Sequence, residues 1–279
     1  MPVHMSSTPQ NSWVKHLRLP PPSLEDHRGD LDRLQRLLTD QEGVNNLKVD
    51  IDAGRELPGL IRRDGETGLR LTVFSDGKQT IITGMDAEET DSRVLGLAID
   101  LGTTRYVLQI LDLETGERLC AAELANPQIE VGPDILTRIH FSEQAGGSEQ
   151  LQTMILEDIQ GHIETLCRDN GLQPSRICNL ALAGNTAMTH LFLGLPCRWL
   201  IREPYVPAMN EPGLCRASEL GLGLHPRAGV YCFPNAGSYF GGDLLSGILF
   251  AGLDAREDIS LLLDVGTNAE VVPGNKDWP

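Results

Sequence analysis

The pattern of apolar and polar positions predicts a small α+β domain in the first third of the chain. Leucines recur at helical spacing between residues 30 and 40, which predicts a short amphipathic helix with Asp30 as its N-cap. Alternating apolar and polar residues then flank Asp64-Gly65 and Asp76-Gly77, a pattern typical of strands joined by tight turns. We expect this domain to cover residues 29–92, after a proline-containing extended linker over 1–28.

A different pattern begins after an acidic run near residue 90, where short apolar strands alternate with helices. The predicted strands cover about 94–99, 106–113, 120–124, 178–183, 230–233 and 260–265. The predicted helices cover about 149–168, 186–193 and 243–251. Three strands, a helix, a strand and further helix predict a mixed α/β domain over 93–279, with layers on both sides of a sheet.

Charge and cysteine content narrow the function classes. The formal net charge is −16 and the basic residues are scattered, so we expect no binding to nucleic acid or to anionic membranes. The sequence has neither an apolar run of bilayer length nor a signal peptide, which predicts a cytoplasmic protein. Its six cysteines form no C-x-x-C pair, and we interpret them as small buried apolar residues rather than cluster ligands.

An internal repeat carries the candidate chemistry. The segment AIDLGTT at 98–104 recurs as LLDVGTN at 262–268, and in both an apolar strand ends in Asp, Gly and Thr before the chain turns back into another strand. We call residues 102–104 the first turn and residues 266–268 the second turn. Glycine lets the backbone approach a phosphate, and successive N–H groups form an anion-binding concavity. Threonine hydroxyls add donors, and the preceding aspartates, Asp100 and Asp264, can hold Mg²⁺ through water.

A single D-x-G-T is a common spelling of a structural β-turn. Two copies, each following a buried strand and separated by a domain's length, favour a phosphate site facing one cleft. The sequence contains no G-x-x-x-x-G-K-[ST] and no G-x-G-x-x-G, the usual alternative phosphate loops.

Three further positions have two interpretations each. Asn185, after Gly184, either bonds a phosphate or attacking water or caps the following helix. Asp243 is either an N-cap or a catalytic base. His190 is interpreted as a packed core residue rather than a ligand, and Asp134 with Arg138 as a surface ion pair on a helix.

Several long motifs in a fixed order resemble one known family, the reductive activators of corrinoid proteins, which are ferredoxin-linked ATPases of the acetate and sugar kinase, heat-shock chaperone and actin superfamily. The segments are PPPSLED, IDLGTT, NPQ, GPDILTRI, AGNTAMTHLFLG, PYVP, FPN, GGD and LLLDVGTN. The resemblance runs from about Trp13 to the C-terminus. It implies an actin-like (ribonuclease H-like) ATPase domain, preceded by the small α+β domain.

The resemblance also implies an activity and a site. The family reduces the inactive cob(II)alamin form of a corrinoid protein to cob(I)alamin in methyltransferase systems, using ATP and Mg²⁺. The resemblance also implies that the small domain contributes to a homodimer. The implied nucleotide-binding residues are Asp100, Gly102, Thr103, Thr104, Gly184, Asn185, Asp264, Gly266, Thr267 and Asn268. The implied catalytic residues are Asp243, Asn185 and Asp100, with Asp100 and Asp264 holding Mg²⁺ through water.

The sequence departs from the family pattern in three ways. It has no cysteines to replace the four that hold a 2Fe-2S cluster in the family's N-terminal domain, it stops where the family continues into an adenosine-binding subdomain, and Ala269 stands where the family more often has glycine. We therefore expect a fragment with an incomplete ATPase domain that binds ATP weakly, hydrolyses little and exposes an apolar sheet edge. The alternatives are a small-molecule kinase of the same fold with Asp243 as base, and an inactive binding fragment.

Overall fold

The computed structural model describes residues 13–90, 92–266 and 269–277. Its strands are β1 Val14–Leu17, β2 Leu47–Lys48, β3 Leu69–Ser75, β4 Thr80–Ala87, β5 Leu95–Leu101, β6 Arg105–Asp112, β7 Arg118–Ala125, β8 Ile177–Gly184, β9 Leu214–Arg216, β10 Gly229–Cys232, β11 Ser260–Val265 and β12 Ala269–Gly274. Its α-helices are α1 Asp30–Glu42, α2 Ile51–Asp64, α3 Ile135–Ser142, α4 Gly147–Asp169, α5 Thr186–Leu193 and α6 Gly242–Ala251.

A four-stranded sheet in the order β1-β3-β4-β2 packs with α1 and α2 around the smaller of two main hydrophobic clusters. Alternating residues of β3 and β4 and the apolar faces of both helices meet there, with Leu34, Leu57 and Ile61 fully buried. Removal of these side chains from water is the main stabilisation of this unit.

The structure corrects two details of the expected linker and first helix. Residues 14–17, expected in the linker, form β1 and pair antiparallel with β3. Asp30 is not the N-cap of α1, because that position belongs to Gly29, and the Asp30 carboxylate accepts a 2.7 Å hydrogen bond from Arg62 of α2.

Helix α2 is an element that the sequence pattern did not predict. It contains Gly54, Pro58 and Gly59, which have low helix propensity and obscure the apolar spacing. The helix forms nevertheless, because the Asp50 side chain accepts a 2.7 Å hydrogen bond from the N–H of Ala53 and the apolar face is buried.

The larger unit is built on a six-stranded sheet in the order β7-β6-β5-β8-β10-β9. Strands β7, β6 and β5 are antiparallel to one another, whereas β5, β8 and β10 run parallel. Helices α3, α4 and α5 complete the larger hydrophobic cluster, and α4 buries the predicted stripe that includes Ile155, Ile159 and Ile163. The parallel arrangement brings the ends of β5 and β8 to the same edge of the sheet, where Leu101 is opposite Gly184.

Strands β11 and β12 form a separate antiparallel hairpin beside α6. One face of β11 is apolar and exposed, with Leu261 and Leu263 at 59% and Val265 at 79% of full accessibility. The sequence predicts an exposed apolar sheet edge, whereas the exposed apolar surface seen here is a face of the hairpin. No helix in the described part of the chain is long and apolar enough to cross a membrane.

The two units are joined by close packing and by ion pairs. A Cβ added to Gly84 of β4 would lie 2.9 Å from the Sγ of Cys178 in β8, so the sheets approach closely at this point. Arg176 forms two hydrogen bonds to Asp86 in the first unit, at 3.0 and 2.7 Å. The packing requires a residue without a side chain at position 84.

We predict that Gly84→Val lowers the free energy of unfolding by about 1–3 kcal/mol, because the added methyl groups must displace Cys178 and Thr72. The matched control is Gly59→Ala, at an exposed position in α2 with open space around it. That change should stabilise by about 0.5–1 kcal/mol through helix propensity. Urea denaturation measures both, and an unchanged midpoint for Gly84→Val would show that the units are not packed here.

Candidate functional site

The first turn connects β5 to β6 and requires glycine for a steric reason. A Cβ at Gly102 would lie 2.5 Å from the carbonyl oxygen of Arg105, closer than any real contact. Thr103, the next residue, is 5% exposed, whereas Thr104 is open to solvent.

All three carbonyl oxygens of the first turn accept hydrogen bonds from the protein. Asn126 donates from Nδ2 to Gly102 O at 2.9 Å and from its backbone N–H to Thr104 O at 2.9 Å. Arg138 donates from Nη2 to Thr103 O at 2.7 Å. Because the C=O and N–H of a trans peptide point in opposite directions, the N–H groups that follow these carbonyls point away from Asn126 and Arg138. That arrangement can bind an anion.

The structure overturns the expected surface ion pair between Asp134 and Arg138. Asp134 is the N-cap of α3 and accepts a 2.9 Å hydrogen bond from the N–H of Thr137. Arg138 is fully buried behind the first turn and also donates to Gly132 O at 2.8 Å. Burial lowers the pKa of the Arg138 guanidinium to about 10, so the group stays charged at neutral pH.

Asn185 links the first turn to the β8–α5 connection. Its Oδ1 accepts from the N–H of Met188 at 2.9 Å, which makes it the N-cap of α5. Its Nδ2 donates to Oγ1 of Thr103 at 3.1 Å. Gly184 is buried one residue earlier, and a Cβ there would lie 2.9 Å from Leu101 O. Gly184 therefore serves the packing of β8 against β5.

Asp243 stands in the first turn of α6 and is not its N-cap, which is Gly241. The chain comes very close to β8 here, since a Cβ at Gly241 would lie 2.4 Å from the Cα of Asn185. Burial raises the pKa of the Asp243 carboxyl above its usual value, and the negative charges of Asp264 and Asp100 add to the effect. A carboxyl with a raised pKa is suited to accept a proton near neutral pH.

The second turn follows β11, in which Asp264 is directly opposite Glu270 of β12. Like charges opposite each other destabilise a strand pair, and both side chains line the same cleft. Gly266 is exposed, and a Cβ there would meet nothing within 4 Å, unlike Gly102. Thr267 and Asn268, the remaining predicted residues of this turn, lie outside the described residues.

One cleft of about 420 Å³ contains residues from both repeats. Thr103 and Asn185 line it together with Asp243, Asp264 and Glu270. Asp100 is not among the lining residues and its side chain is exposed at the end of β5. Partial removal from water nevertheless raises the pKa of the Asp100 carboxyl, and the charge of Asp264 raises it further. Residues of both repeats thus line one cleft.

The cleft is acidic. Among its described lining residues are four carboxylates, those of Asp134, Asp243, Asp264 and Glu270, and no lysine, arginine or histidine. Within the described ranges no three His, Cys, Asp or Glu side chains are close enough together to hold a metal ion directly. A cation here would therefore be held partly through water.

His190 is a packed residue, as the sequence indicated. It is fully buried, its Nδ1 lies 2.7 Å from Thr186 O, and its Nε2 accepts from the N–H of Ala208 at 3.2 Å. Burial lowers the pKa of the imidazole, so His190 stays neutral.

Comparison with known proteins adds an independent observation. The family model of the RACo middle region matches residues 95–256, and that of the RACo linker region matches residues 10–92. The chain belongs to the reductive activators of corrinoid proteins. It is similar to a solved reductive activator for a corrinoid, iron-sulfur protein, with 36% identity and a TM-score of 0.88 over 98% of this chain.

A curated relative is the corrinoid activation enzyme RamQ of Eubacterium limosum, 28% identical over 209 residues, or 75% of this chain. The chain spans only 35% of the length of RamQ and 44% of the length of the solved relative. The match to the solved activator confirms the predicted α/β fold, and the order of antiparallel and parallel strands is consistent with an actin-like ATPase domain.

We predict that Asp100→Asn raises the melting temperature at pH 7.5 by no more than about 1 °C, since it removes a carboxylate that is unfavourable beside Asp264 but is exposed at the end of β5 and therefore screened by water. The pKa of the Asp100 carboxyl is higher in the folded chain than in the unfolded chain, so the wild-type chain loses stability as the pH rises. The loss begins above about pH 4, the pKa of a free carboxyl, and is complete once the pH exceeds the raised pKa of the folded chain. The gain from Asp100→Asn should therefore shrink as the solution is acidified.

Thermal unfolding of both chains between pH 4 and pH 8 measures this difference. The control is Asp40→Asn, at an exposed carboxylate of α1 whose nearest cation is Arg36 at 3.4 Å. The control should show no such pH-dependent gain. A lower melting temperature for Asp100→Asn at pH 7.5 would contradict the assignment of an unfavourable charge.

Proposed function

We propose that this chain forms part of a cytoplasmic ATPase that drives the one-electron reduction of a corrinoid protein from cob(II)alamin to cob(I)alamin in a methyltransferase system. The observation that carries the proposal is the convergence of both Asp-Gly-Thr repeats on one cleft, in a chain that belongs to the reductive activators. RamQ is named a corrinoid activation enzyme and the solved relative an activator of a corrinoid, iron-sulfur protein.

The proposed nucleotide contacts begin at the first turn. The N–H groups after Gly102 and Thr103 and the hydroxyls of Thr103 and Thr104 bind phosphate oxygens. The second turn, with Gly266, Thr267 and Asn268, binds the nucleotide from the opposite side. Asn185 and Gly184 shape the edge between them, since Asn185 already bonds the Thr103 hydroxyl.

Mg²⁺ fits the charge of this cleft. Asp264 and Glu270 are opposite each other on paired strands, and the pKa of the Asp100 carboxyl is raised by burial and by Asp264, so a divalent cation would relieve the repulsion. We propose that Asp100 and Asp264 hold Mg²⁺ through water. The ion would neutralise phosphate charge in a cleft that has no basic side chain among its described lining residues.

Asp243 is the proposed base. Its pKa is raised by burial and by the carboxylates around it, and it lines the cleft together with Asn185. We propose that Asn185 orients the attacking water and that Asp243 accepts its proton. The Leu244 N–H donates to Asp243 Oδ1 at 2.8 Å and fixes the carboxylate.

Hydrolysis can drive electron transfer only if the nucleotide state changes the affinity for the corrinoid protein. We propose that the small unit, which comprises β1 and residues 29–92, is separated from the ATPase domain near residue 92. We also propose that the small unit forms the contact of a homodimer. The iron–sulfur cluster that supplies the electron would be held outside this chain.

A second candidate is a small-molecule kinase. The raised pKa of Asp243 also suits a base that activates a substrate hydroxyl for phosphoryl transfer. The two functions differ in the fate of the phosphoryl group of ATP. In the first, a cobalamin protein stimulates hydrolysis of ATP to ADP and phosphate, and in the second the phosphoryl group is transferred stoichiometrically to a metabolite.

We predict that ATP binds to this chain only in the presence of Mg²⁺, and with a dissociation constant above the low micromolar range. Asp264→Asn should weaken Mg-ATP binding at least tenfold, or about 1.4 kcal/mol, because it removes a proposed metal ligand. The control Asp258→Asn changes an exposed carboxylate outside the cleft and should have no effect. Equal binding of ATP in EDTA and in Mg²⁺ would contradict the proposed site.

The corrinoid assignment has a separate test. Mg-ATP should raise the affinity of this chain for a corrinoid protein in the cob(II)alamin state at least fivefold, measured by titration with the cobalamin spectrum as readout. An affinity that does not change with nucleotide would contradict coupled activation. Stoichiometric phosphorylation of a metabolite would instead support the kinase.

A further inference from the structure

We infer that the Arg138 guanidinium is the buried counter-charge of the phosphate site, acting on the bound anion through the peptide group of Thr103. The inference rests on the proposed function and adds a positioning residue to it. Arg138 lies behind the cleft and is not one of its lining residues.

Arg138 is fully buried, and all its hydrogen-bond acceptors are uncharged. They are Gly132 O at 2.8 Å, Gln128 Oε1 at 3.3 Å, Met188 Sδ at 3.4 Å and Thr103 O at 2.7 Å. No carboxylate of the described residues lies within 4.0 Å of its guanidinium. The carboxylate of Asp134, four residues earlier, caps α3, and its negative charge raises the pKa of Arg138 by less than burial lowers it.

The other strongly buried arginines of the described chain are paired. Arg33 lies 3.1 Å from Asp26, Arg70 lies 3.2 Å from Glu114, and Arg227 contacts Glu56 at 2.6 Å. Burial of a charge without a partner is costly, and proteins tolerate it mainly where a ligand or metal completes the pair. Arg138 is the exception, which indicates that its partner is a ligand.

The missing partner lies on the side of Thr103. Nη2 of Arg138 donates to Thr103 O, and Thr103 lines a cleft that has no lysine, arginine or histidine among its described lining residues. The positive charge is therefore separated from the cleft by one peptide group, in an environment that water does not screen. It polarises the peptide whose N–H faces a bound phosphate, and it offsets part of the anion's charge.

The test compares charge with geometry at position 138. Arg138→Gln keeps an amide donor and removes the charge, whereas Arg138→Lys keeps the charge and removes the planar fork. Binding of Mg-ATP to the 279-residue chain is measured by isothermal titration calorimetry. Arg138→Gln should weaken binding at least tenfold, and Arg138→Lys should weaken it by no more than about threefold. Arg227→Gln, a buried paired arginine remote from the cleft, should lower the melting temperature and leave the dissociation constant unchanged.

Each outcome decides a different claim. Wild-type affinity in Arg138→Gln, or an equal loss in the Gln and Lys variants, overturns the counter-charge inference while the phosphate site stands. Failure of the wild-type chain to bind Mg-ATP at millimolar concentration overturns the proposed function and the inference with it. If Arg138→Gln does not fold, Arg138→Lys alone decides, since loss of binding in a folded Lys variant contradicts a role for the charge.

Discussion

The candidate site depends on how the backbone carbonyls of residues 102–104 are satisfied. A tight turn between two buried strands leaves carbonyl groups that must find donors, and here Asn126 and Arg138 supply all of them. The two side chains and the backbone N–H of Asn126 hold the peptide planes in one orientation and so fix the N–H groups in the other. The anion-binding property of the turn is therefore set by residues that do not face the ligand.

The same organisation explains the electrostatic character of the cleft. Carboxylates from the two repeats and from α6 repel one another, and removal from water raises the pKa of Asp243 and, to the extent that it is covered, of the exposed Asp100. Such an arrangement costs stability in the folded chain without ligands and is typical of sites whose binding partner is a cation. A buried positive charge behind the first turn and a divalent ion in front of it would together offset part of the charge of a triphosphate.

Sequence reasoning found the elements whose periodicity is undisturbed. Strands β5, β6 and β11 and helices α4 and α5 were predicted because their apolar residues recur at the spacing of their secondary structure. Helix α2 was missed because glycine and proline interrupt that spacing. The repeat predicted both turns, but it could not show that Glu270 is opposite Asp264. The two hairpins have loops of different length, because the second pairs Val265 with Ala269 whereas the first pairs Leu101 with Tyr106.

The role of Arg138 was the largest error, and its cause is general. An arginine four residues after an aspartate looks the same in sequence whether the helix face is exposed or buried, and only tertiary packing decides. The same holds for Asn126, 1% exposed, whose amide bonds to Gly102 across 24 residues. The role of such a polar residue therefore becomes clear only from its hydrogen-bond partners in the folded chain.

The central claim is that both turns bind one Mg-nucleotide. The most direct measurement is a titration of the ¹⁵N-labelled chain with Mg-ATP, followed through the backbone amide resonances of Gly102, Thr103 and Gly266. The account predicts that all three shift along a single binding curve with one dissociation constant. Shifts confined to one turn, or two turns that titrate with different constants, would contradict it.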